Sequence, residues 1–197
     1  GATIARILAA EDVKSVQSLV LLNTEIMNHR PSTLPLYQTL FRIPGANWAF
    51  KHLLKSKTYV KSSLGFAGCF YDTSLINDEF YHLYIQPLIL NKTKRLGALS
   101  YLDAIDWKLV DQLDTIHQEI KAPLKLIWGT EDPFFPLENA RTLIGLSPQC
   151  DGLIEIEKTA LMAYEEQPEK VLNAAFEFWR KHDFIQIDKK LEALAMA

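Results

Sequence analysis

The stretch Ile127–Pro136, IWGTEDPFFP, constrains this chain more than any other. Leu124 to Trp128 form an apolar run that leads straight into Gly129. Asp132 follows, and Pro133 and Pro136 stiffen the loop beyond it. Ser15–Asn23, SVQSLVLLN, carries a similar run, LVLL, that is apolar on both faces. Strands of this kind are covered on both sides, as in a parallel sheet flanked by helices. In open α/β sheets, chemistry gathers at the carboxyl ends of the strands, which is where Asp132 falls.

The chain has 197 residues, the size of one domain with room for an insertion. Its 48% hydrophobic and 23% charged residues describe a globular chain able to bury a core. A net charge of −3, with Lys and Arg scattered, argues against nucleic acid as a partner. No apolar run approaches the roughly 20 residues of a membrane span, so no membrane partner is expected. The opening GATIARILAAED lacks the charged-then-apolar pattern of a signal peptide. With only Cys69 and Cys150 present, two free thiols and a cytoplasmic location are the expectation. CxxC and HExxH metal motifs are absent from the sequence.

Periodicity divides the rest. Thr3–Ala10 reads as a helix with Ile4, Ile7 and Leu8 on one face. From Pro31 to about His117, aromatics and leucines recur at helical spacing, as in Tyr37, Leu40 and Phe41 or Phe80, Leu83 and Tyr84, punctuated by Pro and Gly. This is expected to be a helical insertion. Leu124–Gly129 and Gly152–Glu157 read as strands and Leu137–Leu146 as a helix. Pro168–Lys181 reads as a further helix, with Val171, Leu172, Ala175, Phe176 and Trp179 turned inward. Pro168 sits at its start, where a missing N–H costs little. Phe184–Ala197 is expected to be a peripheral helix.

Three motifs in this order resemble the second half of an α/β-hydrolase with a helical cap. That group contains haloalkane dehalogenases, epoxide hydrolases and C–C bond hydrolases. LVLLNTE is similar to the strand before the cap. KAPLKLIWGTEDPFFPLENAR is similar to the acid strand and its following helix, and LIEIEKTALMAYEEQPEKVLNAAFEFW to the last strand and terminal helix. The resemblance implies an α/β core from residues 1–30 and 119–183, a helical cap from 31–118, and a tail from 184–197. It implies no cofactor, water being the co-substrate.

The departures bear on activity. The family places its nucleophile on a G-x-S-x-G turn or its Asp equivalent, and no such pentapeptide occurs here. GATIARILAAED is similar to the helix after that turn, which implies a nucleophile upstream of residue 1. It also implies that the strand at Ser18–Leu22 needs a missing N-terminal segment or a second subunit to cover it. Counting back from Glu165-Glu166 puts Ala160 and Leu161 where the family has Gly-His, and leucine cannot take a proton.

By position, Asp132 is either the acid that orients a histidine or a loop cap accepting backbone N–H bonds. Glu25 matches a second place for the acid, or is an exposed loop carboxylate. Tyr164-Glu165-Glu166 reads as the solvated flank of the last helix. Among the histidines, only His29 falls near the strand ends; His52, His82, His117 and His182 read as solvated surface residues. Phe66, Phe70, Tyr71, Trp107 and Phe134 could line an apolar substrate pocket, or be plain core. Two functions compete. One is part of a hydrolase acting on a small apolar ester, epoxide, haloalkane or vinylogous ketone. The other is an inactive relative that binds a ligand or partner.

Overall fold

The apolar runs meet in one sheet. In the computed structural model, which describes residues 1–77 and 79–182, β1 (Leu19–Leu22), β2 (Leu124–Gly129) and β3 (Cys150–Ile156) lie parallel in the order β1-β2-β3. Leu19 pairs with Leu124 and Leu22 with Ile127, while Gly129 pairs with Ile156. The tail expected at residues 184–197 lies outside the described residues.

Helices cover both faces. On one, α1 (Ala2–Glu11) and α9 (Leu137–Leu146) enclose a core of Ala9, Leu19, Leu21, Leu124, Leu126, Trp128 and Leu143. On the other, α11 (Pro168–Lys181) packs Ala174 and Ala175 on Ile127 and Ile156. The alternate residues Val20 and Leu22 face this second layer, which explains why LVLL has no polar side.

Between β1 and β2 the described residues form helices and turns and no strand: α2 (Thr33–Phe41), α3 (Ala46–Lys55), α4 (Lys57–Val60), α5 (Gln86–Leu90), α6 (Lys92–Asp103), α7 (Trp107–Val110) and α8 (Leu113–Glu119). A π-helical turn at Tyr81–Ile85 leads into α5. This segment has a core of its own, built on Phe50, Leu54, Phe70, Ile76, Phe80 and Ile85. Phe134 and Leu161 pack against both this core and that of the sheet. The short α10 (Ala163–Glu166) precedes α11.

Several details depart from expectation. The first strand is confined to Leu19–Leu22, and the third begins at Cys150 rather than Gly152. Helix α1 turns its largest apolar residues outward: Ile4 and Leu8 are exposed, while Arg6 and Ala9 are buried. Small residues let that helix approach the sheet closely, and Arg6 is drawn inward by partners described below. In α11, Leu172 is exposed and the buried set is Ala174, Ala175 and Phe178.

Candidate functional site

The carboxyl end of β2 is held by side chains rather than by chance of packing. Asn23, immediately after β1, accepts from Gly129 N at 2.8 Å and donates to Gly129 O at 3.2 Å and to Asp132 Oδ2 at 2.8 Å. Asp132 Oδ1 accepts from Phe134 N at 2.7 Å and Phe135 N at 3.1 Å. Buried Trp128 donates its indole N–H to Phe135 O at 2.8 Å. A Cβ on Gly129 would come within 2.3 Å of Ala160 O, so only glycine lets the loop after β3 approach this strand end.

Asp132 therefore fills the loop-cap role, and it is buried while doing so. Burial pushes its carboxyl up from the ordinary carboxylate range, against the opposing pull of the two amides, Asn23 and nearby His29. The His29 ring packs near Phe135, and its Nε2 donates to Phe134 O at 2.6 Å. His29 thus sits at the strand ends, yet its hydrogen bond goes to the backbone and not to the Asp132 carboxylate.

Leu161 lies in the loop after β3, and its side chain lines an apolar cavity of about 210 Å³. Phe134 and Phe135 line the same cavity from the β2 loop; Phe41, Phe50 and Phe66 line it from the helical segment. A Cβ on Gly68 would come within 2.7 Å of the Phe134 ring, so this glycine sets how closely the two sides meet. Cys69 also lines the cavity, but burial, with the charges of Asp132 and Glu166, pushes its thiol up to about 12. It is protonated at neutral pH and is a poor nucleophile.

Of the expected pocket aromatics, the structure brings Phe66 and Phe134 together. Phe70 belongs to the helical core, edge-on to Phe80, and Tyr71 is exposed. Trp107 donates to Gln38 Oε1 at 2.8 Å under the Arg30 guanidinium and lies away from the cavity. Their helical spacing cannot separate these roles, because ring orientation depends on which helix lies opposite.

Glu25 is neither exposed nor joined to Asp132. It forms an ion pair with fully buried Arg6 at 3.0 Å. Burial pushes the Glu25 carboxyl up, but the Thr24 hydroxyl, a backbone donor and Arg6 outweigh it and hold the group below its ordinary value. Arg6 also donates to Thr24 Oγ1 at 2.7 Å and to Glu25 O at 2.9 Å. It lies 3.2 Å from His117 Nε2, whose Nδ1 is 3.0 Å from Ser147 Oγ. His117 is therefore a buried core histidine, not a surface one. Because Arg6 can only donate, Nε2 accepts and Nδ1 carries the proton.

The acidic pair before α11 is likewise engaged. Glu165 accepts from Tyr84 Oη at 2.6 Å. Glu166 accepts from the backbone N–H groups of Tyr71, Asp72 and Ala160 at 2.8, 3.0 and 2.7 Å. It ties the loop carrying Leu161 to the helical segment, as does Met162 N donating to Cys69 O at 3.0 Å. Asn23 is the site residue that sequence reading misses, and Glu166 is one it reads as solvated although it bridges two loops. The only signal is a polar residue closing an apolar strand and an acid two residues before the proline that opens α11.

Comparison with known proteins agrees with this architecture. The family model described as alpha/beta hydrolase fold matches residues 1–168. A search of curated proteins gives no match. Among solved structures, a candidate lipase from Acinetobacter baumannii AYE is 20% identical with a TM-score of 0.70, over 94% of this chain and 60% of its own. The meta-cleavage product hydrolase CumD from Pseudomonas fluorescens IP01 is 18% identical with a TM-score of 0.66, over 92% and 62%. The 2-hydroxy-6-oxo-6-phenylhexa-2,4-dienoate hydrolase of Rhodococcus sp. strain RHA1 is 14% identical with a TM-score of 0.67, over 91% and 61%. At such identities the likeness is one of fold, and the chain spans about 60% of the length of the first of these structures. On the family match, the parallel sheet and the acid at the end of β2, the chain belongs to the α/β-hydrolase fold family.

Proposed function

We propose that this chain is the ligand-binding, acid-bearing part of a hydrolase acting on a small apolar ester, epoxide, haloalkane or C–C bond substrate. One observation carries the reading: a buried carboxylate at the carboxyl end of β2 stands in the same loop as Phe134 and Phe135, which line an apolar cavity. The helical segment between β1 and β2 acts as the cap, contributing the opposite wall. Chemistry needs an activated nucleophile and a proton acceptor, and the cavity lining offers neither: Leu161 is aliphatic, the Cys69 thiol is held protonated, and the hydroxyls of Thr33, Tyr37 and Tyr59 have no histidine or carboxylate beside them in the lining. Those groups come from residues other than these 197.

The sheet gives the proposal a second support. Among the described residues β1 pairs only with β2, leaving its other edge without a partner strand. We assign that edge to a strand of the same missing part, or of a second subunit. The test is a polypeptide extended to the length of the solved relatives. It should hydrolyse an apolar nitrophenyl ester, lose about 10³–10⁴-fold of that rate in Asp132→Asn, and protect the Val20 and Leu22 amides from exchange. An extended polypeptide that binds the ester without turnover would replace this reading with that of an inactive binding protein.

A further inference from the structure

Helices α2 and α3 and the turn after α4 leave an apolar face uncovered. Leu36, Leu40, Ile43, Trp48, Leu53 and Leu64 are exposed, Trp48 at 67%, and all line one open groove of about 610 Å³. An exposed contiguous patch of this kind marks an interaction site more often than isolated surface leucines do. The groove shares Tyr37, Phe41, Phe50, Tyr59 and Leu64 with the apolar cavity beside the Asp132 loop, so it forms the outer approach to that cavity.

Charge is segregated onto the same stretch. Residues 26–71 hold six of the chain's 21 Lys and Arg residues and none of its 24 Asp and Glu, although the chain as a whole is net −3. Arg30 and Arg42 are paired with Asp111 and Asp103. Lys51 and Lys55 on α3, Lys57 on α4 and Lys61 just beyond it enter no ion pair among the described residues. Lys51 and Lys55 follow Trp48 at helical spacings of three and seven, so they stand on the same side of α3 as the indole. That indole in turn packs on His52, ring centroids 4.4 Å apart.

We propose that this face docks on an anionic phospholipid surface. Exposed leucines and isoleucine enter the boundary of the acyl layer, Trp48 sits at headgroup level, and Lys51 and Lys55 beside it meet the lipid phosphates and carboxylates. Docking in this way needs no span, and none of the described helices is long and apolar enough to cross a membrane. The length-based expectation of no membrane partner does not reach this case. The arrangement joins an apolar contact to a basic one, the two signals that stable peripheral attachment requires. It also turns the mouth of the cavity toward the lipid, from which an apolar molecule could enter without crossing water.

The test is co-sedimentation of the protein with vesicles of phosphatidylcholine alone and of phosphatidylcholine mixed with phosphatidylserine, at low and high salt. Binding should appear on the mixed vesicles and fade with salt. Lys51→Ala/Lys55→Ala should weaken it roughly thirtyfold at low salt, taking each cation near such a surface at its usual contribution. Trp48→Asp should remove it, with an unchanged melting temperature because the side chain is exposed. No sedimentation with the mixed vesicles, equal binding to neutral vesicles, or binding indifferent to both variants would overturn the proposal. So would a dimer formed without lipid and abolished by Trp48→Asp, since a second copy would then be the occupant.

Discussion

His117 is an ionisable group strongly shaped by its surroundings. Burial, with the positive charge of Arg6 beside it, lowers its pKa from 6.5 to about 4, against a small opposing pull from Asp114. The unfolded chain therefore binds the proton more readily than the folded one between those values. Stability is at its full value above about pH 6.5 and is lost as the pH falls toward 4. By pH 5 the loss from this group should be of the order of 2 kcal/mol. Urea unfolding at pH 7 and pH 5 should show that slope in the wild type and a flatter one in His117→Gln. Equal slopes would mean that the Arg6 network is not what senses pH. Asp132 is legible in the sequence because an apolar run, a glycine, an acid and a proline stand in order over the ten residues from Leu124 to Pro133. The Arg6–Glu25–His117–Ser147 network is not legible: its members are up to 141 positions apart and each reads as an ordinary polar residue of its own helix or loop.

At the scale of elements, strands are the most readable parts, since runs such as LKLIW admit few alternatives. β2 occupies the residues its pattern indicates, as do α9 and α11. Orientation is harder to read than existence. In α1 and α11 the bulkiest apolar side chains do not all face the core, because alanines allow a closer approach to the sheet than leucines would. The acidic residues before α11 mislead for a related reason, since a solvated helix flank and a carboxylate bridging two loops look alike in sequence. Glu166 supplies a direct test of that bridge. Glu166→Ala removes the acceptor of three backbone N–H groups and should cost about 1–3 kcal/mol of stability. In native-state hydrogen exchange on that variant the amides of Tyr71, Asp72 and Ala160 should open together and faster than those of the sheet. Unchanged protection at those three positions would show that the loop after β3 is held by packing alone, through Met162 and Leu161.

At the scale of the whole molecule, two cores meet along one apolar seam, the sheet core below and the helical core above, with Phe134 and Leu161 shared between them. The fold class is readable from sequence because three weak motifs fall in one order; the cavity is not, since it arises where separate helices converge on the β2 loop. The account holds that this seam binds an apolar molecule and that these residues alone cannot turn it over. One measurement addresses both halves: titration of the purified chain with a short-chain nitrophenyl ester, following heat of binding and release of nitrophenolate in the same samples. The account predicts saturable binding, weakened by Leu161→Asp, which places a charge in the apolar cavity, and nitrophenolate release at the background rate. Release well above background that Asp132→Ala abolishes would contradict it.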